Sequence, residues 1–323
     1  MKSQRRLIDL WEITPGELNW FIGAGGKTTT INRIAAELNY CKTIITTTTA
    51  ILKPETIPHR VAFINSYQAL YNQIAKYSQA SNSKASTFRS DKPGSSTSKP
   101  SNPGFCTSKP NTPGSSTSNP GALVLASAQK QHPLNTLKGE KLTGIKPEWL
   151  TEVVKEFPDF YYLIEADGAA NRPIKVPADH EPVLPEAIDN LFLLQGLSSF
   201  TRAYNKNIDK RIMHRAELFI NNNKKQDISK KLSLSSYRML FSPRYWGYNR
   251  FKSTKQIRFI LTQTNSGILG FSQSLVEHLF KEYIKLNNLK SITAVNYRKE
   301  PEVIYHIDRE EYLNSGYTKL KRY

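Results

Sequence analysis

The stretch Phe21-Ile22-Gly23-Ala24-Gly25-Gly26-Lys27-Thr28-Thr29-Thr30 constrains this chain more than any other. Leu18 to Ile22, with Trp20 and Phe21, is an apolar run of strand length, and beyond the glycines Ile31, Ile34, Ala35 and Leu38 recur at helical spacing. Strand, glycine-rich turn, Lys-Thr and helix are the setting that a phosphate-binding loop requires. Glycines let successive backbone N–H groups converge on phosphate oxygens, and the helix N-terminus adds partial positive charge. Lys27 supplies a mobile charge for β/γ-phosphates, and the Thr28 hydroxyl is of the kind that ligates Mg²⁺. Gly23, Ala24, Gly25, Gly26, Lys27, Thr28 and Thr29 are therefore the expected nucleotide contacts. The strict pattern wants glycine where Phe21 stands, so only its second half is met. The competing reading is a structural turn that happens to hold a lysine.

A second segment matches the first in chemistry. Phe160 to Ile164 is an apolar strand that runs into Glu165-Ala166-Asp167-Gly168. A phosphate-loop enzyme needs a carboxylate here, to hold Mg²⁺ or position attacking water. Lys27, Glu165 and Asp167 form the expected catalytic set, and Thr28, Glu165 and Asp167 the expected metal set. Gly168 allows close approach to a γ-phosphate. Thr46 to Thr49 end another strand, which makes Thr47 and Thr48 candidate phosphate contacts against simple β-propensity. The proline-dense stretch from Asn171 to Pro185 reads as a rigid loop over the site. Within it Arg172 and Lys175 suit phosphate, while His180 and Glu181 suit a substrate or metal, although a lone His-Glu pair is more often structural. His214-Arg215 is a weaker anion contact.

Strands alternating with helical patterns predict an α/β fold of the P-loop NTPase type, a mostly parallel sheet with helices on both faces. The division expected is 1–80 for the N-terminal part of that domain, 81–121 for an insertion, 122–299 for its remainder and 300–323 for a C-terminal tail. The insertion is almost entirely Ser, Thr, Pro, Asn, Gly and Lys, with a decapeptide recurring at Pro93-Gly94, Pro103-Gly104 and Pro113-Gly114. Such units bury too little to offset ordering entropy, so the segment is expected to be a disordered loop. The formal charge is +18, and from Arg202 to Arg258 fifteen Lys and Arg face three Asp and Glu. That field attracts polyanions, but it lacks the interleaved aromatics of an RNA module, so nucleic acid is not an expected partner. No apolar run is long enough to span a membrane, the basic start is broken by Asp9, Glu12 and Pro15, and cytoplasm is the expected location. Cys41 and Cys106 show no Cys-x-x-Cys spacing of a zinc knuckle.

Gly23-Ala24-Gly25-Gly26-Lys27-Thr28, the Thr46–Thr49 run, Leu142-Thr143-Gly144-Ile145, Glu165-Ala166-Asp167-Gly168-Ala169, Arg172-Pro173-Ile174-Lys175 and His180-Glu181-Pro182-Val183-Leu184-Pro185 stand in one order. Together they resemble the YqeC-like family, accessory proteins of selenium-dependent molybdenum hydroxylases. The resemblance covers most of residues 18–52 and 139–219. It implies a P-loop NTPase fold, a role in selenium or molybdenum cofactor maturation, and such a hydroxylase or its cofactor as partner. Glu165-x-x-Gly168 is also similar to the acidic motif of metallochaperone GTPases, a likeness of fold. The chain departs from the family in Ala50 and Ile51, where lysine and methionine usually follow the threonines. Thr262-Gln263-Thr264-Asn265 lacks the carboxylate that would pair guanine, so ATP and GTP both stay open as the cofactor beside Mg²⁺. Three functions remain: Mg²⁺-dependent NTP hydrolysis in cofactor maturation, small-molecule kinase or nucleotidyltransferase chemistry on the same scaffold, and polyanion binding by the 202–258 region.

Overall fold

The structure, a computed structural model, describes residues 6–38, 41–52, 59–86, 121–130, 141–186, 188–198, 213–222, 234–246, 253–264, 269–297, 303–315 and 321–322. In chain order the strands are β1 (Leu18–Gly23), β2 (Thr43–Thr47), β3 (Ala50–Leu52), β4 (His59–Phe63), β5 (Ala122–Ala126), β6 (Ala128–Lys130), β7 (Lys141–Thr143), β8 (Tyr161–Glu165), β9 (Ile174–Lys175), β10 (Ile188–Gly196), β11 (Met213–His214), β12 (Thr254–Thr262), β13 (Leu289–Val295), β14 (Val303–Asp308) and β15 (Lys321–Arg322). The helices are α1 (Leu7–Leu10), α2 (Lys27–Glu37), α3 (Tyr67–Ser86), α4 (Pro147–Glu156), α5 (Ala216–Asn222), α6 (Leu234–Met239), α7 (Pro243–Trp246), α8 (Leu269–Tyr283) and α9 (Arg309–Ser315).

One sheet of ten strands organises the chain, in the order β15-β14-β13-β12-β10-β1-β8-β2-β5-β4. From β13 to β4 every neighbouring pair is parallel, and β14 and β15 are added antiparallel. The mostly parallel α/β architecture expected from the sequence is the one observed. A parallel sheet is covered on both faces, so its strands are apolar almost without break. All six residues of β1 are buried. Strand alternation then sends Leu18, Trp20 and Ile22 to one core and Phe21 to the other. Tyr162 and Ile164 of β8 follow the first set, Leu163 the second, and Leu191, Phe192, Leu193 and Leu194 of β10 alternate in the same way. The first core also takes Leu70 and Ile74 of α3, Leu150 and Val153 of α4, and Leu275, Val276 and Leu279 of α8. The second takes Leu7 and Leu10 of α1 and Ile31 and Ile34 of α2.

Two boundaries differ from the sequence reading. Helix α3 runs on through Ser86, into the stretch assigned to the insertion from residue 81. Its last part, Ser78 onward, is rich in Ser, which carries little helical signal. The repeats lie outside the described residues. The segment assigned to the C-terminal tail supplies β14, α9 and β15, and β14 buries Val303, Tyr305 and Ile307 against β13. Among the described residues no helix is long and apolar enough to cross a membrane.

Candidate functional site

In open parallel sheets, ligands bind in the crevice beyond the carboxyl ends of the strands. β1 lies between β10 and β8, and β8 lies between β1 and β2. Phe21 pairs with Glu165 on one side, and Thr47 with Glu165 on the other. The glycine turn, the acidic strand end and the threonine run, far apart in sequence, therefore emerge side by side.

The turn is held tightly. Gly23 takes φ +94°, and a Cβ there would collide with the Leu194 carbonyl. Gly25 takes φ +74°, and a Cβ there would collide with the backbone of Pro173 and Gly196. Ala24 N–H donates to the Leu194 carbonyl at 2.8 Å, and the Thr262 hydroxyl donates to the Gly25 carbonyl. Helix α2 starts at Lys27 with Gly26 as its boundary residue and no side-chain cap. The N–H groups of Lys27, Thr28 and Thr29 thus have no acceptor within the helix, which is the condition under which a helix end receives an anion.

Below the turn lies a buried chain of charges. The Lys27 ammonium donates to the Gly23 carbonyl at 2.5 Å and stands 3.1 Å from Asp167 Oδ1 and 3.9 Å from Glu165 Oε1. The Thr28 hydroxyl donates to Glu165 Oε2 at 2.9 Å. Asp167 accepts the Gly23 N–H and pairs through Oδ2 with Lys175 at 2.9 Å. Lys175 also meets Glu181 Oε2 at 2.8 Å and donates to the Gly168 carbonyl at 2.6 Å. Arg215 closes the chain with a two-point contact to Glu181. Three cations and three carboxylates balance, and the side chains of Asp167 and Lys175 have no exposed surface. Burial pushes the Glu165 carboxyl up, against Lys27 and the Thr28 hydrogen bond, which pull it down. Burial pushes Glu181 up as well, but the hydrogen bonds from Arg215 and Lys175 outweigh it and leave its pKa at about 2. His214, on β11 beside Lys175, is lowered by burial and then by Arg215 and Lys175.

The other candidate residues take varied places. Thr47 is buried and donates to the Glu165 carbonyl at 2.7 Å, so its hydroxyl joins β2 to β8. Thr48 donates to the carbonyls of Ala166 and Val183, both at 3.2 Å, and ties the acidic strand end to the proline-dense loop. Thr29 is exposed, Arg172 and Gly168 are half-buried, and His180 is exposed while its neighbour Glu181 turns inward. Among the described residues no group of three or more His, Cys, Asp or Glu is gathered around a metal-sized space. Much of the basic stretch from Arg202 to Arg258 lies outside the described residues, and Arg258 itself is buried, donating to Asn190 at 2.7 Å. Sequence reasoning took Lys175 for a phosphate contact and missed its ion pairs. The available signal was a lysine flanked by Ile174 and Val176 directly after the acidic strand, a position too apolar for a solvated cation.

The family model described as YqeC protein matches residues 20–217, more than half of the chain and the whole of this charge cluster. No curated protein and no solved structure matches the chain.

Proposed function

The chain belongs to the YqeC family, and on that premise we propose that it binds a nucleoside triphosphate with Mg²⁺ and hydrolyses it while assisting selenium or molybdenum cofactor maturation of a hydroxylase. One observation carries the reading: Lys27 and Thr28, from the glycine turn, meet Glu165 and Asp167, from a separate strand, within 2.9 to 3.9 Å. A structural turn with a chance lysine has no reason to bury that amine against two carboxylates.

The uncapped start of α2 receives phosphate oxygens through the N–H groups of Lys27, Thr28 and Thr29, and the Lys27 ammonium moves from the Gly23 carbonyl and Asp167 onto the terminal phosphates. The donor set fits Mg²⁺, a hard cation that takes a hydroxyl, one or two carboxylates and phosphate oxygens. Thr28 and Glu165 are the residues to hold it, and its chemistry there is to neutralise the β/γ charge. Both oxygens of Asp167 already accept protein donors, so its part is to fix the turn through Gly23. Glu165, with its carboxyl pushed up by burial, is the group placed to orient water at the γ-phosphate. The role in maturation rests on family membership, which supports no particular client.

The test is product analysis with ATP or GTP labelled on the γ-phosphate. Free phosphate without an acceptor, dependent on Mg²⁺ and lost in Lys27→Ala, is expected. Unassisted turnover in this class can be as slow as roughly 10⁻⁴ s⁻¹, so single-turnover conditions are required. Label that moves only to a second molecule would instead make the protein a kinase or transferase.

A further inference from the structure

We propose that Lys175 is a positioning residue that releases Lys27 for the nucleotide; this rests on the nucleotide reading above. In the structure Lys27 is bound at its own loop, to the Gly23 carbonyl and Asp167. Its side chain is only 3% exposed, so the ammonium reaches a phosphate above the turn by moving away from both. The Asp167 carboxylate has no exposed surface, so without a second cation Lys27's departure would strand a charge away from water. Lys175 is that second cation, 2.9 Å from the other oxygen of Asp167.

The geometry also excludes Lys175 as a phosphate ligand. An ammonium has three N–H donors, and those of Lys175 face Asp167, Glu181 and the Gly168 carbonyl at 2.9, 2.8 and 2.6 Å. Arg215 holds Glu181 through both of its oxygens, one of them shared with Lys175, and β9 pairs with β11 at Ile174–Met213 and Lys175–His214. Lys175 is thus fixed in place, while Lys27, held by one carbonyl, one shared Asp167 oxygen and a longer 3.9 Å contact to Glu165, is the cation that can move. The two lysines divide the work at Asp167: one neutralises it permanently, the other only while the nucleotide is absent.

The test is calorimetric titration of ATP or GTP with Mg²⁺ into the full chain, as wild type, Lys175→Met, Asp167→Asn and the double variant, with thermal melting as a fold control. Lys175→Met is expected to weaken nucleotide binding at least tenfold, because Lys27 stays on Asp167. Adding Lys175→Met to Asp167→Asn is expected to change affinity less than threefold, whatever the affinity of Asp167→Asn itself. Equal losses in both backgrounds would mean that Lys175 acts independently of Asp167, and would overturn the proposal. So would wild-type affinity in Lys175→Met. Should Lys175→Met fail to fold, a tenfold or greater loss between Asp167→Asn and the double variant would overturn the proposal, since neither strands a carboxylate at 167. A wild-type protein that binds nucleotide in a Lys27-dependent way, with no effect of Lys175, removes this inference alone. A wild type that binds none removes the nucleotide reading with it.

Discussion

Asp167 holds Gly23: the backbone N–H of the first loop glycine lies 3.1 Å from Oδ1 and 3.0 Å from Oδ2 of a carboxylate 144 residues away. The same oxygens pair with Lys27 and Lys175, so one buried side chain sets the loop conformation and gathers both cations. Asp167→Ala leaves two buried ammonium groups short of a partner and is expected to destabilise the fold by about 3–5 kcal/mol. Asp167→Asn keeps an acceptor for Gly23 and is expected to lose less. Urea unfolding of the two variants measures the difference.

Gly25→Ala is expected to abolish nucleotide binding. Its φ of +74° alone strains an alanine, roughly 1–3 kcal/mol, and the added methyl meets the backbone of Pro173 and Gly196, which cannot swing aside as a side chain would. Melting temperature and nucleotide titration should fall together in this variant.

Glu165→Gln should separate stability from function. Burial already disfavours the ionised carboxyl, so the neutral isostere is expected to leave the empty protein as stable as wild type or slightly more so. Mg²⁺ needs the ionised form. The gain in nucleotide affinity on adding Mg²⁺ should therefore vanish in Glu165→Gln. In wild type that gain should fade on acidification at a pH above the ordinary 4.5 of a glutamate, because the Glu165 pKa is raised.

Glu181 gives the opposite sign. Its folded pKa, about 2, lies below the ordinary 4.5, so the folded state binds its proton more weakly than the unfolded chain does. The stabilisation is complete above about 4.5 and is lost as pH falls toward 2. Urea midpoints measured from pH 5.5 downward should decline, and Glu181→Gln should flatten that decline.

How much of this was legible beforehand depended on the kind of signal. The glycine turn announced itself because Gly-Gly-Lys-Thr sits between an apolar strand and a helical repeat, and Glu165-Ala166-Asp167-Gly168 because acids end an apolar run. Parallel strands such as β1 and β8, buried throughout, and the Leu191–Leu194 part of β10 are near-continuous apolar segments, so they too were readable. The pairing of Lys175 with Asp167 and Glu181 was not, because a cation on a two-residue strand carries no periodicity and its partners come from two other segments. The split between Glu165, beside Thr28, and Asp167, beneath Gly23, also needed the register of β8 against β1. The C-terminal strands were illegible for another reason. β14 buries Val303, Tyr305 and Ile307, but apolar Ile304 and buried His306 stand between them, so its six residues show no clean alternation, and they follow a stretch of mixed charge.

The central claim is that a triphosphate with Mg²⁺ occupies the turn above Lys27, Thr28, Glu165 and Asp167. Titration of ATP and GTP into the full chain, with and without Mg²⁺, in wild type and Lys27→Ala, tests it most directly. Binding of at least one triphosphate is expected, strengthened by Mg²⁺ and lost in Lys27→Ala. Absence of Mg²⁺-dependent binding, or binding left unchanged by Lys27→Ala, would contradict it.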